Sequence, residues 1–317
     1  MISRRWLFAI VYAAIMIPLF VFLNYVAPLQ ISDPFSDLHN YKYFYDNARF
    51  EPLAQLGFWF EPGYSLVSVI ASFFISFGGF VALISFVLCS ALVAAMAKWP
   101  VNRSFIFIFA ITVFFLYFPF TSLSKVALRQ GLASAAFLSF LACRDPLTLP
   151  KTSLLRWSCF FLSFHFSAAF LIGSLLLARL VRGPFAFKLW LTIVVLYVLN
   201  LSGQPGALLN EQLGVANMSL NSLNTDVEYT VGFKPQFFGL SAAFVLFPFL
   251  CSWLGLLGCS VKKIFDSSLF RLYFVLNSAA MLTAELPYHD RFFLWSWILG
   301  PVLVIAVLGQ LRRRSAS

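Results

Sequence analysis

The chain has 317 residues, of which 61% are hydrophobic and only 11% are charged, and its net charge is +10. Soluble domains contain roughly 25% charged residues, so a water-soluble fold is excluded and most of the surface must face lipid. The basic residues form small groups between apolar runs, as topology signals do, and they form no basic stripe with interleaved aromatics, which argues against nucleic-acid binding.

The apolar runs predict an all-α, polytopic integral membrane protein with both termini in the cytoplasm. They lie near residues 6–28, 62–97, 104–120, 126–143, 157–178, 185–201, 236–258, 268–285 and 292–309. A spanning helix needs roughly 17–25 residues, so we expect about ten spans in a single membrane domain that covers residues 1–317. The first run follows Arg4 and Arg5 and is too long for a signal peptide, which predicts a span that is retained.

Two segments leave the topology open. Residues 62–97 form either two spans, or one span preceded by a short re-entrant or interfacial helix that ends at Gly78 and Gly79. Residues 157–178 form either one span or a short hairpin that turns near His165. The positive-inside rule favours the re-entrant helix together with the hairpin, because that threading leaves more of the 22 Lys and Arg residues in the cytoplasm.

In this threading two long loops lie on the outer side of the membrane, residues 29–61 and residues 202–235. The first is rich in aromatic and acidic residues, among them Asp37 and Tyr41, and the second is rich in Asn, Ser and Gly. Long loops in compact proteins usually bind or cover ligands. We therefore expect the function to lie on the outer face.

Four polar motifs lie at the outer membrane boundary, where ionisable side chains are costly and are therefore functional candidates. The first contains Lys125, Arg129 and Gln130. Arg129 is predicted in the first turn of a helix, where free backbone N–H groups attract anions, and its guanidinium can bind phosphate through two hydrogen bonds. The structural alternative is an interfacial arginine whose charge reaches the headgroups.

The second motif is His165, the only histidine inside an apolar run. Histidine suits a general base or a donor to phosphate, although a hydrogen bond to a neighbouring helix would also explain it. The third motif spans residues 285–291, in which Arg291 could bind an anion and His289 or Asp290 could take a proton. Alternatively, Asp290 is the N-cap of the last helix.

The fourth motif is Glu61-Pro62-Gly63-Tyr64. Proline after Glu61 favours a helix start with Pro62 at its first position. In the functional alternative, the Glu61 carboxylate orients or deprotonates a sugar hydroxyl. Cations on this face suit a phosphate-bearing substrate and flat aromatic rings suit sugar faces, so the four motifs together predict lipid-linked glycan chemistry.

With these motifs the chain resembles the EpsG/Wzy group of bacterial polysaccharide polymerases. The matching features, best over residues 33–180, are Asp37 with Tyr41 to Tyr45, Glu61-Pro62-Gly63-Tyr64, Leu128-Arg129-Gln130-Gly131-Leu132-Ala133, Phe164-His165-Phe166-Ser167-Ala168 and Arg291. The resemblance implies a GT-C-like helical fold in the bacterial inner membrane. It also implies transfer of a glycan from undecaprenyl pyrophosphate to the end of an incoming lipid-linked repeat on the periplasmic face, which makes O-antigen or exopolysaccharide.

The resemblance assigns roles to residues of all four motifs. Arg129 and Arg291 would hold the pyrophosphate, and His165 and Glu61 would remove a proton or orient the acceptor. The residues expected to contact substrate are Asp37, Tyr41, Tyr64, Lys125, Gln130, His289 and Asp290. The expected partners are membrane lipid, the lipid-linked glycans, and a flippase and chain-length regulator of the same pathway.

No cofactor is expected. The resemblance implies neither a nucleotide sugar nor a redox cofactor, and the five Cys residues show no metal-ligand spacing and no disulfide framework. Two other functions stay open: an O-antigen ligase or another lipid-phosphate-dependent glycosyltransferase, and a transporter or flippase for the same glycans. A flippase should show internal repeats and charges across the middle of the membrane, whereas here the charges concentrate at one surface.

Overall fold

The computed structural model describes residues 37–52, 60–202, 232–286 and 289–311. These residues are nearly all helical and contain no strand beyond one isolated bridge between Leu257 and Leu311. The predicted all-α fold is therefore confirmed. The first predicted span, residues 6–28, lies outside the described residues, as do residues 29–36 and 53–59 of the first predicted outer loop and residues 203–231 of the second.

We number the helices of the described residues in chain order. They are α1 (Asp37–Ala48), α2 (Pro62–Ser72), α3 (Phe77–Met96), α4 (Arg103–Leu116), α5 (Phe118–Lys125), α6 (Leu128–Cys143), α7 (Lys151–Phe164), α8 (Ala168–Leu180), α9 (Gly183–Val198), α10 (Pro235–Trp253), α11 (Val261–Phe265), α12 (Ser268–Leu282), α13 (Asp290–Trp297) and α14 (Gly300–Leu308).

Three helical segments of the described chain are long and apolar enough to cross a membrane. They are α3, α10 and the segment Asp290–Leu308, which contains α13 and α14. Helices α4 and α5 pass the same test together but are bent by 70° at their junction, and α6, α8, α9 and α12 are shorter apolar helices. The protein is therefore a helical membrane protein, while the count of about ten spans and the GT-C-like arrangement stay predictions.

The short helix α2 ends earlier than the sequence predicted. It stops at Ser72, and Gly78 and Gly79 lie inside α3, so the predicted helix end at these glycines is wrong. The reason is that Ser76 begins α3: its Oγ accepts a hydrogen bond from the Gly79 N–H at 3.2 Å, as an N-cap residue does. With 11 residues, α2 is roughly 16 Å long, which is about half of the hydrocarbon thickness of a bilayer.

The predicted turn near His165 is confirmed. Helix α7 ends at Phe164 and α8 begins at Ala168, so His165 lies in the break between them. That these two helices form a hairpin stays a prediction.

The helices divide into two compact units. Unit 1 comprises the described residues up to Ala94 together with Phe107–Ser139 and Leu155–Ala168. Unit 2 comprises Ala95–Ile106, Phe140–Leu154 and the described residues from Ala169 onward.

The core of unit 1 is aromatic. Helix α1 turns its buried residues Tyr41 and Tyr45 toward Tyr64 of α2 and Phe80 of α3. The ring of Tyr45 stacks on Phe80 with 4.9 Å between centroids, and the Tyr41 and Tyr64 rings are 5.5 Å apart. Rings of this size bury much apolar surface, so they fix α1 on α2 and α3.

The core of unit 2 contains a closed polar network. Asn277 of α12 donates to the hydroxyls of Ser241 and Ser296 at 2.9 and 3.0 Å and accepts from the Trp190 indole at 2.9 Å. The Trp297 indole donates to Ser241 at 3.0 Å. All of these side chains are buried, and the Asn277 amide and both indole N–H groups thus have acceptors, which avoids the cost of unpaired polar groups. The network ties α9, α10, α12 and α13 together.

Candidate functional site

The Glu61 carboxylate joins two of the other predicted catalytic residues in unit 1. Its Oε2 accepts a hydrogen bond from Arg129 Nη1 at 2.7 Å, and its Oε1 lies 2.9 Å from His165 Nδ1. The same Oε1 accepts from the backbone N–H of Phe166 at 3.0 Å. We call Glu61, Arg129, His165 and Tyr41 the carboxylate cluster.

Glu61 stands where the sequence predicted, at the start of a helix with Pro62 in its first turn. As the N-cap residue it could bond its own helix, but its side chain makes no capping hydrogen bond. The carboxylate instead points to residues that are distant in the sequence. A glutamate whose side chain bonds distant residues instead of capping its own helix is typical of a functional site.

A close approach of two helices places Glu61 beside His165. A Cβ on Gly63 would lie only 2.7 Å from the carbonyl oxygen of Ser163, so only glycine permits this contact. The first turn of α2 therefore packs directly on the last turn of α7. His165 and Phe166 follow that turn and meet the carboxylate.

A second close approach positions Arg129, which lies in the first turn of α6 as predicted. A Cβ on Gly131 would lie 2.3 Å from the carbonyl oxygen of Leu123, so the end of α5 contacts the first turn of α6. The guanidinium is held on several sides. Its Nε donates to the Tyr41 hydroxyl at 3.2 Å, and its carbon lies 4.7 Å from the ring centroid of Phe60 and 5.6 Å from that of Tyr41, distances that allow cation–π attraction.

The charge of the cluster is set by its partners. Burial alone would raise the pKa of Glu61, but the hydrogen bond from His165 and the positive charge of Arg129 outweigh it and lower this pKa to about 2. Glu61 is therefore ionised at neutral pH and is a poor proton acceptor. A carboxylate only accepts hydrogen bonds, so His165 Nδ1 must carry the proton between them. Of the two ring nitrogens, Nε2 is the one that Glu61 does not bind.

Exposure divides the cluster into a buried support and two groups that reach the surface. The Glu61 side chain is 1% exposed, whereas the side chains of Arg129 and His165 are 19% and 11% exposed. Arg129 Nη2 makes no hydrogen bond within the part of the chain that the structure describes. The guanidinium and the imidazole that the same carboxylate holds are thus both partly exposed.

The other unit 1 residues predicted to contact substrate have varied positions. Asp37 is the first residue of α1 and lies one turn before Tyr41 on the same side. Tyr64 and Gln130 are buried, Tyr64 beneath the ring of Tyr41. Lys125 is exposed at the end of α5. Their contact with substrate stays a prediction, and burial makes Tyr64 a support for Tyr41.

The third predicted motif belongs to unit 2. Asp290 is the first residue of α13 and His289 is the N-cap residue, so the alternative that Asp290 is the N-cap is wrong. Within the first turn, the Asp290 carboxylate still interacts favourably with the helix dipole. Arg291 follows in the same turn and is half-buried. That Arg291 and Arg129 share one site stays a prediction.

His289 is poorly suited to take a proton. It is buried, its Nδ1 lies 3.2 Å from the carbonyl oxygen of Leu286, and its ring packs 5.7 Å from that of Phe237. Burial and the charge of Lys234 lower the pKa of His289 to about 4. The imidazole is therefore neutral at neutral pH.

Sequence reasoning missed two parts of the carboxylate cluster. The ring of Phe60 packs on the guanidinium of Arg129, and the backbone N–H of Phe166 contacts Glu61. Each residue is the immediate neighbour of a predicted site residue, but apolar residues surround all four motifs. Nothing in the sequence distinguishes Phe60 from the other 39 phenylalanines, and Phe166 is part of the His165 motif without a predicted role.

Metal binding has little support in the described part of the chain. No group of three or more His, Cys, Asp or Glu side chains there is placed to hold a metal ion. The carboxylate cluster contributes one carboxylate and one imidazole, whereas a catalytic zinc site usually has three protein ligands.

The fold and the cluster define the class of protein: a helical membrane protein with a partly exposed cation and an imidazole held by one buried carboxylate. Comparison with known families adds the particular family. The EpsG family model matches residues 13–317, so the chain belongs to the EpsG family, and the predicted resemblance is confirmed. This family is associated with polysaccharide polymerisation in membranes. Comparisons with curated proteins and with solved structures give no match.

Proposed function

We propose that the protein is a polysaccharide repeat-unit polymerase of the bacterial inner membrane. It would transfer a growing glycan from undecaprenyl pyrophosphate to a hydroxyl at the end of an incoming lipid-linked repeat, on the periplasmic face. The observation that carries the proposal is the Glu61 carboxylate, which holds Arg129 at 2.7 Å and His165 at 2.9 Å. A cation for the leaving group and a base for the acceptor thus stand side by side.

The reaction needs one proton transfer and one displacement. His165 Nε2 takes the proton of the acceptor hydroxyl, and the oxygen attacks the anomeric carbon of the donor glycan. The new glycosidic bond forms as the bond from that carbon to the pyrophosphate oxygen breaks, and the pyrophosphate leaves with the electron pair. Glu61 stabilises the imidazolium, as the buried carboxylate of a catalytic triad does.

Arg129 is the proposed anion-binding residue. Tyr41 and Glu61 fix its Nε and Nη1, so the guanidinium does not have to reorganise when charge develops on the leaving phosphate. Its Nη2 edge is directed to the substrate side in this proposal. A guanidinium can donate two hydrogen bonds to one phosphate, which a lysine ammonium cannot do in the same fixed geometry.

Arg291 is proposed to bind the second phosphate. It is half-buried and lies in the first turn of α13, where the helix dipole favours anions. Two arginines would together balance most of the charge of a departing pyrophosphate.

The proposal is tested with a chromosomal deletion and a plasmid-borne gene. Deletion should leave surface glycan that carries a single repeat and abolish the ladder of long chains on a gel, because single repeats can still be transferred without polymerisation. The wild-type gene should restore the ladder, and the Arg129→Ala gene should not, at equal protein levels in the membrane. Complete loss of surface glycan on deletion would favour a ligase or flippase and overturn the proposal.

A further inference from the structure

A cavity lies in unit 1, apart from the carboxylate cluster. Its volume is about 300 Å³, and it opens between the end of α1 and the turn that joins α2 to α3. The lining residues come from these two places and are Tyr45, Asp46, Arg49, Phe50, Ser72, Ile75, Ser76 and Phe77. Ligand pockets range over roughly 300–1,000 Å³, so this cavity suits a small unit of a larger molecule.

The cavity faces water or headgroups and not acyl chains. Lys42 and Asp46 form an ion pair on α1 in which both side chains are about half exposed, and Arg49 is exposed one turn later. Charged groups in the hydrocarbon region are costly, so α1 must lie outside it. The end of α1 that lines the cavity shares this position.

The lining combines hydrogen-bonding groups with an aromatic face. Asp46 and Arg49 supply a carboxylate and a guanidinium, and Phe50 presents a ring that is 81% exposed. The hydroxyls of Ser72 and Ser76 are held by backbone groups: Ser72 donates to the Val69 carbonyl oxygen, and Ser76 accepts from the Gly79 N–H.

Such a set matches the chemistry of a sugar ring. Carboxylates accept from hydroxyl groups and guanidiniums donate to them. An aromatic ring packs against the apolar C–H face of the sugar. An acyl chain would instead cover the exposed charges of Arg49 and of the Lys42–Asp46 ion pair and shield them from water.

The floor of the cavity is rigid. The Tyr45 hydroxyl donates to the carbonyl oxygen of Ile75 at 3.0 Å, and its ring stacks on Phe80 with 4.9 Å between centroids. This hydrogen bond joins α1 to the turn before α3. Both walls of the cavity are therefore held together without a ligand, which reduces the ordering cost of binding.

One helix connects the cavity to the carboxylate cluster. Helix α2 begins beside Glu61 and ends at Ser72, 11 residues later, which corresponds to roughly 16 Å. A sugar bound at Ser72 is therefore not the sugar that reacts beside His165. Both sugars can belong to the same glycan.

We propose that this cavity is a glycan subsite that binds one sugar unit of the substrate repeat away from the reacting bond. The identity of the ligand rests on the proposed function, because only a glycan substrate would bring a neutral sugar to this position. The subsite would hold the oligosaccharide of the lipid-linked repeat while the carboxylate cluster acts on its end.

The test measures sugar binding directly on the purified full-length protein. The probe is the soluble oligosaccharide of a single repeat, released by mild acid from the surface polysaccharide of the host, and the readout is its Kd by calorimetry. Arg49→Ala and Phe50→Ala should each raise Kd at least tenfold. Arg103→Ala and Tyr43→Ala are the matched controls, since both side chains are exposed and neither lines the cavity; their Kd should equal that of the wild type.

The outcomes separate this inference from the proposed function. Arg129→Ala should bind the oligosaccharide like the wild type although it makes no polymer. A wild-type Kd in both Arg49→Ala and Phe50→Ala overturns the subsite alone, as does an equal loss of affinity in the two controls. A wild-type polymer ladder from Arg129→Ala instead overturns the proposed function.

Discussion

His165 Nδ1 lies 2.9 Å from Glu61 Oε1, and this contact fixes which nitrogen of the imidazole can act as a base. The ionised carboxylate accepts a hydrogen bond from Nδ1–H, so Nε2 is the nitrogen that the proposed mechanism uses as the base. The relationship also makes Glu61 a positioning residue, because its own proton affinity is low. We argue four predictions from this geometry and the packing around it, and one from the polar network of unit 2.

The first prediction concerns His165→Asn. The asparagine amide can replace Nδ1 as a donor to Glu61 but has no counterpart of Nε2. We expect the rate of polymer formation to fall by about 10²–10⁴, the usual contribution of a general base, while the amount of folded protein stays normal. Radiolabelled polymer formed by membrane vesicles measures the rate. A rate within twofold of the wild type would exclude His165 as the base.

The second prediction uses the low pKa of Glu61, about 2 against an ordinary value of 4.5. A lowered folded-state pKa contributes stability that is fully present above pH 4.5 and is lost as the pH falls toward 2. The buried carboxylate should contribute roughly 3 kcal/mol. Glu61→Gln should therefore be less stable than the wild type at pH 7, and the difference should shrink between pH 5 and pH 2. Denaturant unfolding in detergent measures it, and a difference that does not depend on pH would contradict the assignment.

The third prediction compares Arg129→Ala with Arg129→Lys. Lysine keeps the positive charge but lacks the planar guanidinium that Tyr41 and Glu61 hold through hydrogen bonds. Arg129→Lys should therefore restore only part of the activity that Arg129→Ala abolishes. Arg291→Ala should also abolish polymer if both cations bind the pyrophosphate. Arg103→Ala, an exposed arginine outside the cluster, is the control and should give a wild-type ladder. Full activity of Arg129→Lys would mean that a point charge is sufficient.

Much of unit 1 could be predicted from the sequence, for physical reasons. Apolar runs identify the membrane helices, and Pro62 identifies the start of α2, because both signals are local. The ion pair of Glu61 with Arg129 joins residues 68 positions apart, and no local signal encodes it. The order of the motifs along the chain nevertheless predicts a shared function for Glu61 and Arg129. The structure shows that the two side chains are in contact.

The wrong predictions came from competition between local signals. Gly78 and Gly79 suggested a helix end, but the serine at position 76 supplies an N-cap that continues the chain as helix through both glycines. Asp290 suggested an N-cap, but His289 already takes that position. The Asn277 network could not be predicted, because an asparagine in an apolar run shows no sign of its partners on three other helices.

The fourth prediction tests that network with Asn277→Leu. Leucine removes the acceptor of the Trp190 indole, which is left buried and unpaired, whereas Ser241 still accepts from Trp297 and Ser296 still donates to the Phe293 carbonyl oxygen. An unpaired buried group costs about 1–3 kcal/mol, so the midpoint of thermal unfolding should fall by several degrees. Asn40→Ala, an exposed asparagine of α1, is the control and should unfold like the wild type. An unchanged midpoint for Asn277→Leu would show that the network does not stabilise unit 2.

The fifth prediction tests whether the contact between α2 and α7 places Glu61 at His165. Gly63→Ala would put a Cβ 2.7 Å from the carbonyl oxygen of Ser163, so α2 must move away from α7. A displacement of about 1 Å at a catalytic group can reduce a rate about 100-fold, and polymer formation should therefore fall much more than the level of folded protein. Gly173→Ala is the matched control, because no atom lies within 4 Å of its added Cβ. Since alanine is the better helix former, this control should be as stable as the wild type or more so, and fully active. Normal polymer from Gly63→Ala would show that the cluster tolerates the shift and that its geometry is not set by this contact.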